Sequence, residues 1–151
     1  MNVAGFEEAL SSSIELQMEK DLIVRVASIP GLTLLKLIAW SDRGRETNKD
    51  AADLYRLLTT YSDAGNTDRL YDREMDLLES VGFDLWLAGA ELLGRDVASL
   101  GSPPALALVR SVLQSERTFE RLVNHRVQTS KSEENWPFVE RIVASFRRGV
   151  A

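Results

Sequence analysis

The sequence predicts an α+β fold that is predominantly α-helical, an N-terminal β-hairpin followed by a bundle of about six helices. Two observations carry this. Residues 14–26 alternate apolar and polar around a short polar turn, which is the pattern of a hairpin. After Ser28 the apolar residues recur at three- and four-residue spacing, which is the pattern of helices packed on a core. With 151 residues, 44% of them hydrophobic and 27% charged, the chain has the size and balance of one domain with one core. The predicted organisation is a single domain over 1–151, with 1–28 as the hairpin region and 29–151 as the helical bundle.

Gly5-Phe6-Glu7-Glu8-Ala9-Leu10 reads as a short helical turn. In the hairpin, Ile14-Glu15-Leu16-Gln17-Met18 and Leu22-Ile23-Val24-Arg25-Val26 are the strands, and Glu19-Lys20-Asp21 turns the chain between them. Ser28 and Pro30 open the first long helix, Leu32 to Trp40, which is apolar nearly all round except at Lys36. A second helix from Asn48 to Tyr61 puts Leu54, Leu57, Leu58 and Tyr61 on one face, with Thr47 and Asp50 at capping-box spacing. Ser62 to Asn66 ends it, and a third helix carries Leu70, Leu77, Leu78 and Val81 up to a C-terminal Gly82. Asp84 caps Leu85 to Leu93, which Gly94 ends, and Ala88-Gly89-Ala90 admits another element at close range. Ser102-Pro103-Pro104 opens a helix with Leu106, Val109, Leu113, Phe119 and Val123 in step. Gln128 to Asn135 reads as a loop, and a last helix starts near Pro137 and buries Val139, Ile142, Val143 and Phe146.

Composition narrows the function. No apolar run reaches the roughly 18 residues that span a bilayer, and the N-terminus lacks the basic start and apolar stretch of a signal peptide. The absence of cysteine excludes disulfides, Cys-ligated zinc and thiol chemistry, and fits a cytoplasmic location. The lone histidine, His125, makes a multi-His metal site or a Ser-His-Asp triad hard to assemble. The net charge of −5 argues against nonspecific nucleic-acid binding by the whole surface. Residues 110–151 nevertheless carry eight Lys/Arg against five Asp/Glu, a net +3, whereas the first 109 carry ten against eighteen, a net −8. This basic tail leaves RNA contact open, although a solvated helix face is the commoner meaning of such a pattern.

The stretch that carries chemistry is Lys36, Trp40 and Arg43 at i, i+4 and i+7, followed by Lys49, Asp50 and Asp53. A lysine inside an apolar helix is costly to bury unless something anionic meets it. Two cations on one helix and a Lys/Asp/Asp cluster on the next suit a polyphosphate and its magnesium. The structural alternative stays open beside this: Asp50 as a cap, Lys49 and Asp53 as a surface pair, Lys36 reaching to water.

These residues resemble the C-terminal region of the AbiEii/AbiGii-type nucleotidyltransferases, several of which are toxins of toxin–antitoxin pairs. Leu32 to Arg43 matches their LxxLKLxAxxxR helix and Lys49 to Leu54 their KDxxDL helix. Residues 5–10, Phe83 to Gly94 and Arg95-Asp96 resemble one bacterial branch, so the likeness covers roughly residues 1–100. The resemblance implies that Lys36, Lys49, Asp50 and Asp53 contact the nucleotide, with Arg43 joining them from its place on the Lys36 face, and that the hairpin is the remnant of a nucleotidyltransferase sheet. Catalysis in that family depends on a Gly-Ser turn, an Asp-x-Asp pair and a third acidic residue, which bind the magnesium. Here Gly101-Ser102 is followed by two prolines, and Asp72-x-Glu74-x-Asp76 is the nearest approach to Asp-x-Asp. All three acidic positions of the family precede the segment that resembles Met1. The implied protein begins partway through such an enzyme, and magnesium with a nucleoside triphosphate is expected only in the complete one.

Two function classes follow. One is the helical, nucleotide-contacting part of a nucleotidyltransferase that is not catalytically self-sufficient. The other is a helical protein-interaction module with no remaining enzymatic role. A helical ribonuclease of the type that partners minimal nucleotidyltransferases is set aside, because Arg121 stands too close to His125 for its arginine–histidine spacing. The expected partners are a second copy of the chain through the hairpin (Leu16, Leu22, Val24 and Val26), a missing catalytic segment, or a cognate antitoxin.

Overall fold

Helical spacing of apolar residues after Ser28 folds the chain around one continuous core, and the computed structural model describes residues 5–43, 48–129 and 136–151 of it, apart from the side chains of 43 and 129. The order is α1 (Phe6–Ser11), β1 (Ile14–Glu19), β2 (Leu22–Val26), α2 (Ile29–Arg43), α3 (Lys49–Thr60), an irregular turn (Ser62–Asn66), α4 (Thr67–Asp72), α5 (Met75–Ser80), α6 (Leu85–Leu100), α7 (Pro103–Gln114), α8 (Glu116–Thr129) and α9 (Trp136–Val150). The fold is α+β and mostly helical, with nine α-helices among the described residues rather than about six. None of these helices is long and apolar enough to cross a membrane.

The larger number arises because two expected helices are each broken in two and because the N-terminal turn forms a helix of its own, α1. Between α4 and α5 the chain bends at Arg73, and Glu74 is drawn by ion pairs to Arg69 at 3.6 Å and Arg95 at 2.7 Å. Between α7 and α8, Ser115 turns extended (ψ 110°), and its carbonyl accepts from the N–H groups of Thr118 and Phe119. Apolar spacing continues across both breaks, which is why periodicity alone reads through them. Two other boundaries move outward. Gln128 and Thr129 belong to α8 rather than to a loop, while 130–135 and the Thr47 cap lie outside the described residues.

The remaining helix ends obey local rules. The Ser28 hydroxyl accepts from Gly31 N–H at 3.2 Å at the start of α2, and the Asp84 carboxylate accepts from Trp86 and Leu87 N–H at the start of α6. After α5, Gly82 takes φ +69°, and Phe83 N–H returns to the Leu78 carbonyl at 2.9 Å in a Schellman closure. Ser102 starts α7 without capping it by its own side chain. Its hydroxyl and N–H both donate to the Glu8 carboxylate of α1, a contact that holds Glu8 below the usual carboxylate range.

Gly94 does not end α6, which runs on to Leu100. The glycine instead faces Gly149 of α9. A Cβ on Gly149 would lie 2.0 Å from the Glu91 carbonyl oxygen and 2.9 Å from the Gly94 Cα. A mid-helix glycine costs about 1 kcal/mol against alanine, and here the near-touching backbones offset it. Trp86 meets Phe138, Glu91 meets Arg148 and Gly94 meets Gly149, so contacts advance together and the two helices run roughly parallel. In the same way Gly89 admits the Ser62 backbone, as its small-residue surroundings predict.

The hairpin stands apart from this core. Ile14 pairs with Val26, Leu16 with Val24 and Gln17 with Ile23, with a bulge at Met18 before Glu19 meets Leu22. Every residue of β1 is exposed, including Ile14 and Leu16, and so are Leu22 and Ile23 of β2. Among the described residues, the helices leave Ile14, Leu16 and Leu22 exposed, while Val24 and Val26 are half-buried.

Gly149→Ala should lower the unfolding free energy by about 3 kcal/mol, the upper end of ordinary overpacking costs. Gly82→Ala has open space around its Cβ and pays only for its left-handed backbone, about 1 kcal/mol. Urea denaturation of both variants checks the ranking, and equal losses would remove the close-crossing account of Gly149.

Candidate functional site

Lys36 sits in the middle of α2, where Leu34, Leu37 and Ile38 are turned into the core. Its Nζ lies 3.2 Å from Asp50 Oδ1 and 2.6 Å from Asp53 Oδ2, both on the first turns of α3. Asp50 is only 5% exposed, whereas Asp53 reaches solvent. The hydrogen bond to Asp53 holds the Lys36 ammonium above the usual lysine range, against the opposing effect of burial. Lys49 is exposed at the start of α3, and Arg43 ends α2 with its side chain outside the described portion. Lys36, Asp50 and Asp53 therefore converge, as the short connection between two successive helices packed antiparallel anticipates. Trp40 does not join them. It is fully buried, its Nε1–H donates to His125 Nδ1 at 3.1 Å, and Arg121 lies 4.6 Å from its ring. Burial, then the charge of Arg121, pushes His125 below the usual histidine range, and accepting through Nδ1 requires the neutral ring.

Asp53 also forms the rim of a groove of about 460 Å³ that follows α3 toward Thr60. Tyr55 and Arg56 of α3, Trp86 of α6, Arg126 of α8 and Phe138 of α9 line it. Arg126 lies over the Tyr55 ring at 4.5 Å, and Trp86 meets Phe138 edge to face at 5.6 Å. Sequence reasoning missed these residues as a site. Arg56 follows Asp53 by three positions and was open to the same periodic argument; Trp86, Arg126 and Phe138 come from three distant segments that only packing brings together. A larger depression of about 780 Å³ along Arg117, Arg121, Asn124 and His125 of α8 shares no residue with this groove.

Magnesium takes six oxygen ligands in near-octahedral order. Two carboxylates are on offer here, with an ammonium already between them, and among the described residues no group of three or more acidic or histidine side chains converges. The set does not fit a magnesium ion held by this chain alone.

The geometry defines a helical scaffold that presents a lysine–dicarboxylate cluster, one of whose carboxylates, Asp53, also lines an aromatic groove. The chain matches the family described as nucleotidyl transferase AbiEii toxin, type IV toxin–antitoxin system, over residues 4–131, and it belongs to that family. The match takes in the hairpin, the cluster and all of α7 and α8, beyond the residues on which the sequence likeness rests. No curated protein and no solved structure matches the chain.

Removing Lys36 leaves Asp50 buried without that counter-ion, so Lys36→Met should destabilise by about 1–3 kcal/mol, with Asp50→Asn restoring part of the loss in a double-mutant cycle. Because the folded lysine has the raised pKa, its contribution is complete below the ordinary lysine value and disappears as pH climbs through the folded one. Thermal melts of wild type and Lys36→Met should differ equally from pH 6 to 9 and converge only above about 10.4. Convergence at neutral pH would show that the cluster carries no such energy.

Proposed function

We propose that this chain is the nucleotide-contacting, helical part of a nucleotidyltransferase and is not catalytically self-sufficient. The observation that carries the reading is the Lys36 ammonium held between Asp50 and Asp53, the second of which also lines the groove. The carboxylates keep the lysine charged and aimed, so part of the cost of ordering a cation is met before a ligand arrives. Phosphate oxygens then compete with Asp53, the solvent-exposed partner, while Asp50 retains its hold from the buried side. Lys49, exposed at the start of α3, adds charge for the outer phosphates, and Arg43 at the end of α2 is assigned the same role from its i+7 spacing to Lys36. Group transfer needs carboxylates to organise magnesium around the reacting phosphate, and here the two candidates are engaged with Lys36. The catalytic carboxylates and the bound magnesium–nucleoside triphosphate belong, on this reading, to the complete enzyme.

Lys49→Ala and Arg43→Ala should each weaken binding of a nucleoside triphosphate by about tenfold, the usual scale of one charge-assisted contact. Equilibrium dialysis with labelled nucleotide measures this. Incubation of the chain alone with labelled nucleotides, magnesium and RNA or protein acceptors should give no incorporation. Transfer that disappears in Asp53→Asn would overturn the second half of the reading.

The uncovered hairpin favours a protein partner as well. Leu16, Leu22, Val24 and Val26 share one sheet face with Ile14, and an apolar face of this kind is a site for association. A second copy of the chain is the partner proposed, with a cognate antitoxin as the other occupant the family suggests. Sedimentation at micromolar concentration should show a dimer that Val24→Lys converts to monomer; a wild-type monomer would refute the homodimer.

A further inference from the structure

The groove beside the Lys36 cluster is electrically balanced and aromatic. Arg56 and Arg126 are offset by Asp53 and Asp63, so its length offers no excess of positive charge for phosphates. Its walls instead carry the rings of Tyr55, Trp86 and Phe138. Trp86 is 48% exposed, a large apolar surface left to water, yet its indole is held against Phe138 and its backbone is fixed by the Asp84 cap. Such a ring is ordered before binding and loses little freedom when a flat group covers it.

Position along the groove is equally informative. Asp53 lines one end, and next to it stand Lys36, paired with Asp50 and Asp53, and the exposed Lys49. Trp86 enters the wall from α6, one turn before Gly89, which touches Ser62 just beyond the end of α3. From Asp53 to Thr60 the helix rises about 10 Å. A ligand with an anionic tail and a flat aromatic head fits a groove that has the lysine partner of Asp53 beside it and an exposed ring in its wall.

We infer that the groove receives the nucleobase of the bound nucleotide, which stacks on Trp86 while its phosphates lie at Lys36 and Lys49. The inference rests on the nucleotide-contacting role and adds where the base goes and which side chain holds it. Stacking on a π-face tolerates every base, so Trp86 contributes affinity for nucleosides without selecting one. Trp86 is a positioning residue for the ligand rather than a group that reacts.

The test compares nucleoside triphosphates with inorganic tripolyphosphate, which carries the charge and no base. Calorimetric titration of the full chain should show Trp86→Ala weakening ATP and CTP by about tenfold, with tripolyphosphate unaffected and Trp86→Phe close to wild type. Nucleotide should also quench tryptophan emission in wild type more than in Trp86→Phe. Circular dichroism of each variant guards against misfolding, to which this half-exposed side chain makes a small contribution. If Lys49→Ala weakens nucleotide binding and Trp86→Ala does not, the phosphate site stands and the stacking inference falls. If Trp86→Ala alone weakens it, the groove binds the base and the phosphate assignment falls. Equal loss of tripolyphosphate in Trp86→Ala, or no binding of either ligand by wild type, overturns the inference.

Discussion

The close crossing of α6 on α9 at Gly94 and Gly149 is the constraint on which the rest of the architecture depends. Neither helix can rotate or slide there without driving a backbone carbonyl into its neighbour. With that contact set, Leu92, Leu93 and Val97 of α6 and Ile142, Phe146 and Val150 of α9 are buried in the same core. The same register aligns Glu91 with Arg148 and brings Trp86 against Phe138 one end away. A parallel pair needs a long return path, which α7 and α8 supply. The groove is thus a by-product of core packing: two of its aromatic walls come from helices joined at their glycines.

A second group of charges ties the periphery to this centre. Asp96 of α6 accepts from Arg69 through both guanidinium nitrogens at 2.7 and 2.8 Å and from the Tyr61 hydroxyl at 2.5 Å. Burial, reinforced by Asp96, pushes the Tyr61 hydroxyl well above the usual phenol range, so it remains a donor. Glu74 continues the chain through Arg95 to Glu91 and Arg148. Bidentate pairs of this kind fix orientation more than they add stability. They hold the irregular turn and the short helices α4 and α5, whose length alone would not keep them helical. The Lys36 cluster differs in kind, because its carboxylates are local to one helix turn and leave Asp53 facing water.

The hairpin belongs to neither system. It is joined to the bundle through the Ser12–Ser28 hydrogen bond and α1 rather than by buried side chains of its own. A two-stranded sheet is marginal by itself, so its apolar face gains most from a surface brought to it by another chain.

What the sequence determined was local. Strand alternation placed the hairpin, capping residues such as Ser28 and Asp84 placed helix starts, and the meeting of Lys36 with Asp50 and Asp53 followed from the short connection that makes two successive helices antiparallel neighbours. Each of these depends on residues within a few turns of one another, where spacing is geometry. Tertiary structure decided the rest. Gly94 reads as a helix end until Gly149, fifty-five positions away, gives it a packing partner; Trp40 reads with the lysine until His125 turns it toward α8. The breaks at Arg73 and Ser115 interrupt the backbone without interrupting the apolar rhythm, so periodicity cannot register them. The groove of Trp86, Arg126 and Phe138 has no sequence signal at all, because long-range packing assembles it, and the pattern of any one helix is silent about which neighbour its exposed edge will meet.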